Sequence, residues 1–148
     1  MKKLLVSLMT LVTVGVSAHC PMFFEAENIC AEVEWIDGPA YNVESAFEVS
    51  FWRKGDHTHT LVSPEAEVSF RPWMIMANGH SHGGPAMTWT EVEPGLFAID
   101  DARFIGGMNG YWQVLVKVGN EELAHKVVID SDDDGHDHDH GHGHHHMH

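Results

Sequence analysis

Polar and apolar residues alternate in short runs through the middle of this chain, with a period of two and no helix-length apolar stripe. Residues 32–36 alternate and stop at Asp37-Gly38-Pro39. Residues 46–53 set Phe47, Val49 and Phe51 on one face and break at Lys54-Gly55-Asp56. Residues 67–70 and 73–76 are separated by Pro72, which lacks an amide hydrogen and suits an edge, a bulge or a strand that changes sheet. Residues 87–92 and 96–100 flank Glu93-Pro94-Gly95, a hairpin turn; residues 111–118 and 123–129 flank a second one, Gly119-Asn120-Glu121-Glu122. Seven to eight strands at this spacing predict an all-β fold, an immunoglobulin-like antiparallel β-sandwich, with a small closed barrel as the alternative. No internal repeat is present, and the one linker is the acidic stretch from Asp130 onward.

The ends differ from this pattern. Residues 1–18 read as a secretory signal peptide: Lys2 and Lys3 start it, residues 4–16 are apolar, and Val16-Ser17-Ala18 offers small residues for cleavage. The apolar stretch falls short of the ~20 residues that span a bilayer, so cleavage is expected rather than anchoring. His19 before Cys20 does not suit a lipoprotein site. Residues 19–130 would then form one exported domain, periplasmic or secreted, with no remaining membrane span. Losing Lys2 and Lys3 leaves six basic residues against twenty-two acidic ones, a net charge of −16 with histidines neutral. Such a balance repels nucleic acid and anionic lipid and attracts cations or a basic protein patch.

Residues 131–148 have no apolar periodicity to bury and read as a disordered tail. His136, His138, His140, His142, His144, His145, His146 and His148 lie there in a frame of glycine and aspartate. Neutral imidazoles suit copper, zinc and nickel, so the tail is expected to capture such ions.

The domain carries its own candidate ligands. On a strand, Met74 and Met76 share a face, and the loop Asn78-Gly79-His80-Ser81-His82-Gly83-Gly84 turns back with His80 and His82. Thioethers with imidazoles favour Cu(I), while zinc has little use for thioethers. Val68 and Phe70 share the parity of the two methionines, so an unbroken strand would send both toward the core instead. Met108, in the turn Gly106-Gly107-Met108-Asn109-Gly110, is a further thioether candidate, and Trp73 could shield an ion. His57 and His59 offer a second site or simple surface polarity, and His125 reads as a surface or half-buried strand residue. Cys20 and Cys30 suit a disulfide in an oxidising compartment, or, if reduced, a thiolate copper site with Met22. Cleavage after Ala18 would also leave His19 with both an amine and an imidazole, the start of a histidine brace that His57, His59, His80 or His82 could complete.

The run Trp73-Met74-Ile75-Met76 with Gly79-His80, then Glu93-Pro94-Gly95-Leu96-Phe97, then Phe104 through Gly110-Tyr111-Trp112-Gln113-Val114-Leu115-Val116, resembles the YtkA-like/FixH-like family over residues 46–129. The resemblance implies an immunoglobulin-like sandwich, exported or membrane-tethered, connected with copper handling or with assembly of copper-containing respiratory oxidases. A membrane oxidase or a metal transporter would then be the protein partner. The family's usual membrane anchor is missing once a signal is cleaved, and the cysteine-bearing start and histidine tail are extra. These readings predict an exported copper-binding, buffering or delivery protein. The alternative is a non-enzymatic assembly module with a general zinc- or nickel-binding tail. No Gly-x-Ser-x-Gly elbow, no His-Glu-x-x-His helix and no phosphate loop is read in the chain, so no enzyme is expected, a copper-brace oxidation being the one chemistry left open.

Overall fold

A computed structural model describes residues 19–130. The expected signal peptide and the histidine tail lie outside the described residues. The described chain is all β, with nine strands where the spacing suggested seven to eight. They are β1 (Met22–Phe24), β2 (Ile29–Asp37), β3 (Glu44–Arg53), β4 (Val68–Met76), β5 (Ser81–Gly83), β6 (Thr90–Glu93), β7 (Leu96–Arg103), β8 (Gly110–Val118) and β9 (Glu121–Lys126). The unexpected β1 and β5 have three residues each, too short to show a period in the sequence. The strands form two antiparallel sheets, β1-β2-β3-β7-β6 and β5-β4-β8-β9, packed as a sandwich.

The core follows from the alternation. Phe47, Val49 and Phe51 of β3 face inward with Phe97 and Ile99 of β7; Phe70 and Met74 of β4 meet them with Trp112, Val114 and Val116 of β8. Phe70 and Phe97 bring the sheets into contact at 5.5 Å between ring centroids, and Phe104 meets Trp112 at 5.8 Å. Among the described residues, the core and its packed rim run from Met22 to Ile129, so strands of both sheets border one hydrophobic interior.

Pro72 does not divide its strand. β4 pairs with β8 without interruption from Val68 to Met76, so the two runs expected on either side of Pro72 are one strand. The carbonyl of Pro72 accepts from the Gly84 amide, which puts the position where an amide hydrogen is missing on the β5 side of the strand. There β5 has already ended, at Gly83, and no ladder bond is lost. A second correction concerns the last hairpin. Its turn is only Gly119-Asn120, and β9 begins at Glu121. The Glu121 carboxylate accepts from the amides of Glu25 (2.8 Å) and Ala26 (2.6 Å), fastening the turn after β1 to the other sheet.

Cys20 and Cys30 form a disulfide across a Cα separation of 5.2 Å. Closing a loop of this size contributes about 3 kcal/mol in the loop-entropy account. With both sulfurs bonded to each other, neither is a thiolate ligand, and the Cys20–Met22–Cys30 copper site falls away.

Candidate metal centre

The hairpin of β4 and β5 brings the methionines and histidines of the Trp73–Gly84 segment together by register. Met74 stands opposite His82 and Ile75 opposite Ser81. One step further, the Met76 amide donates to the His80 carbonyl at 2.8 Å. Directly opposed residues of an antiparallel pair share a face, so Met74 and His82 lie on the inward side of the sheet. The turn is held by Gly79, whose φ of +88° belongs to glycine, and by the His80 amide donating to Asn78 Oδ1 at 3.0 Å.

Each side chain of this set has its own depth. Met74 is 2% exposed and belongs to the core, as the unbroken parity of β4 requires. Met76, at the strand's end, is half-buried on the core's rim, and so is Met108. The two are near neighbours in the fold: Met76 pairs with Gly110, and the Ala77 amide donates to the Asn109 carbonyl at 2.9 Å. Gly110 allows this approach, because a Cβ there would collide with the Ile75 carbonyl. His80 is exposed and His82 half-buried.

Trp112, on the other side of Met74 in the sheet, fixes the back wall. Its ring meets that of His82 edge-on at 6.1 Å, and its Nε1–H donates to the Ile105 carbonyl at 3.0 Å. Gly84 passes over the indole where a Cβ would sit 2.8 Å from ring carbons. His82 Nδ1 donates to the Gly83 carbonyl at 2.8 Å; a carbonyl accepts only, so Nδ1 carries a proton and, in the neutral ring, Nε2 keeps its lone pair. An imidazole whose other nitrogen donates to a carbonyl is oriented as metal-binding histidines are. Trp73 instead lies under the Arg71 guanidinium, 4.8 Å from its ring, and is not part of the inward row.

The other candidates separate. His57 is exposed, while His59 stacks on Trp52 at 4.1 Å between centroids, so the two stand in different surroundings. Asp56 organises their loop: bonds from the Thr58 hydroxyl and amide, and then from Thr60, hold its carboxyl down to about 2. His125 is half-buried on β9, and burial lowers its pKa below the ordinary value. The eight tail histidines, His136 to His148, lie outside the described residues.

The sequence reading missed three participants. Glu32 bonds to His19, Trp112 backs His82, and Trp52 carries His59. Alternation places Trp112 on an inward face, but nothing local pairs it with His82. The reading also missed that Gly79-His80-Ser81-His82-Gly83 spells Gly-x-Ser-x-Gly. That motif makes a nucleophile at a strand-to-helix turn, whereas Ser81 lies within β5, opposite Ile75, and no helix occurs among the described residues.

No family model matches the chain, nor does any curated protein or solved structure. The YtkA-like/FixH-like resemblance therefore rests on the sequence motifs alone. Among the described residues no helix is long and apolar enough to cross a membrane, and no three His, Cys, Asp or Glu side chains gather as a metal site. The hairpin set is different in kind, two imidazoles with thioethers, a soft donor set.

Proposed function

We propose that this chain is an exported copper-binding protein whose domain takes up Cu(I) at the β4–β5 hairpin and whose histidine tail collects further ions. The observation that carries this reading is the register of β4 against β5, which sets the thioethers opposite the imidazoles with Met76 at the rim. Met76, His80 and His82 are the ligands that solvent can reach, Met108 is the further thioether, and Met74 forms the floor. The disulfide fits an oxidising compartment, which an exported protein would meet. Buffering or delivery of copper, rather than catalysis, is the role such a shallow soft site serves.

The test is competition for Cu(I) against a chromophoric chelator, in protein ending at Asp130. Met76→Leu and the His80→Gln/His82→Gln pair should each weaken binding at least about tenfold, with Zn(II) bound far more weakly than Cu(I) throughout. Unchanged Cu(I) affinity in both variants would reject the hairpin as a copper site.

One observation favours a second reading, an assembly module that docks a partner protein. A cleft of about 500 Å³ lined by Asp37, Pro39, Tyr41, Asn42, Val128 and Ile129 is flanked by the exposed apolar residues Ile36 and Val43. Retained partner capture by a copper-blind hairpin variant would favour this alternative.

A further inference from the structure

We propose that the domain carries a second and separate copper site, for Cu(II), formed by the α-amino group and Nδ1 of His19 with the imidazole of His59. The proposal rests on release of the signal peptide after Ala18, which makes the amine available, and is independent of the hairpin site.

The two rings lie 6.5 Å apart between centroids, with planes 21° apart. Two imidazoles on one ion, at metal–nitrogen bonds of about 2 Å, place their centroids roughly 4.5–6.5 Å apart. The rings are stacked, and imidazole lone pairs lie in the ring plane, so the site forms only when the His19 side chain, which is 64% exposed, turns to aim Nδ1 at the His59 ring edge.

Each ring has a partner in the fold. His19 Nε2 lies 3.1 Å from Glu32 Oε1, and a carboxylate accepts only, so Nε2 carries a proton and, in the neutral ring, Nδ1 has the free lone pair. Nδ1 is the nitrogen that can chelate together with the residue's own amine. Glu32 stands where the orienting carboxylate of a metal-bound histidine usually stands. His59 is fixed by its stack on Trp52, with planes 16° apart, and by a backbone φ of +51°, rare for a residue with a side chain. Asp56 imposes that conformation by bonding the Thr58 and Thr60 amides on either side of His59. The outlier sits at a candidate ligand, in keeping with the tendency of such strain to gather at binding sites.

The Cys20–Cys30 bond ties the residue next to His19 onto β2, and Cys30 pairs with Trp52 of β3, so one crosslink brings the start of the described chain to the strand whose Trp52 carries His59. Three nitrogens, one of them an amine, favour Cu(II) over zinc and nickel by the usual order of divalent affinities. This site and the hairpin lie at opposite ends of the sandwich. His59 follows the C-terminal end of β3, whereas the β4–β5 turn lies by Asn109, on the side where Asn42, just before β3, binds the Gly106 amide.

The experiment is a Cu(II) titration of residues 19–130 with His19 as the true N-terminus, read by electron paramagnetic resonance and by competition. The first equivalent should show three coupled nitrogens. A five-residue Gly/Ser extension before His19 should weaken binding about a hundredfold, since the chelating amine is displaced. His59→Gln should remove one nitrogen and weaken binding about tenfold. The His80→Gln/His82→Gln pair should leave this site intact while Cu(I) binding at the hairpin weakens, so the two proposals fail separately. An unchanged affinity in the extended protein overturns the Cu(II) site. So does a first equivalent with fewer than three nitrogens in the unaltered protein, a reading that holds even where a variant misfolds.

Discussion

The His82 imidazole and the Trp112 indole meet edge-on, at 90° and 6.1 Å between centroids, with Met74 lying between them in the sheet. The contact couples the one half-buried histidine of the hairpin to a core aromatic, so an ion bound at His82 Nε2 changes the surroundings of Trp112. Cu(I) is diamagnetic and leaves NMR signals sharp. Adding one equivalent to protein ending at Asp130 should shift the Trp112 indole N–H, which donates to Ile105, more than those of Trp35 and Trp89. Equal shifts at all tryptophans, or none at Trp112, would place the ion elsewhere.

Met74 should behave as a packing residue. Met74→Ala deletes a fully enclosed side chain and should cost about 2–5 kcal/mol, whereas Met74→Leu keeps the volume and should cost less than about 1.5 kcal/mol. Denaturant unfolding measures both. If Met74→Leu also leaves Cu(I) affinity within about twofold while Met76→Leu does not, the floor and the ligand are told apart.

Much of this was legible in the sequence. Phe47, Val49 and Phe51 announced an inward face by period alone, and Glu93-Pro94-Gly95 announced its turn. The depth of Met74 was equally readable from its parity with Val68 and Phe70, but only if Pro72 does not break the strand. That condition depends on whether the missing amide hydrogen faces a partner, and Gly84, twelve residues on, decides it. Strand β5 was invisible because its hydrogen bonds to β4, rather than any alternation of its own, define Ser81–Gly83. The His19–Glu32 and His59–Trp52 contacts were hidden for the same reason: each joins residues brought together by the disulfide and a tertiary loop, which no local pattern encodes.

Reduction of the Cys20–Cys30 bond should loosen the start of the chain without dissolving the sandwich, since the larger part of the core lies in β3, β4, β7 and β8. Replacing both cysteines by serine should lower stability by about 3 kcal/mol, and the melting temperature with it. Calorimetry of the variant against the oxidised protein checks this. A change under ~0.5 kcal/mol would mean that the unfolded chain gains little from release of the loop.

His125 gives the domain a defined acid sensitivity. Burial disfavours its charged form, so its pKa in the fold lies below the unfolded value near 6.5. In that window the unfolded chain binds more protons, so stability rises with pH there and is lost as pH falls from about 6.5 through the folded pKa. His125→Gln, which cannot charge, should flatten the slope of melting temperature against pH below about 6.5 while leaving the value near pH 8 little changed. An identical slope in the variant would assign the acid sensitivity to other groups.

The tail should raise metal capacity without setting metal preference. Its eight histidines are interspersed with glycine and aspartate and offer many imidazoles, so binding of Cu(II), Zn(II) and Ni(II) there should be multiple, weak to moderate, and without fixed geometry. Removing residues 135–148 should lower the number of ions bound at pH 7.5 by two or more, on the order of one ion per three or four imidazoles. Because imidazole must be neutral to coordinate, the excess capacity of the full chain should fall away as pH drops through about 6.5. Hairpin-bound Cu(I) should persist to lower pH, since thioethers carry no proton to compete with the metal. Equilibrium dialysis of the two proteins across that range separates the contributions. Equal stoichiometry with and without the tail would end the case for it as a store, and parallel loss of Cu(I) and of excess Cu(II) would indicate that imidazoles alone hold both.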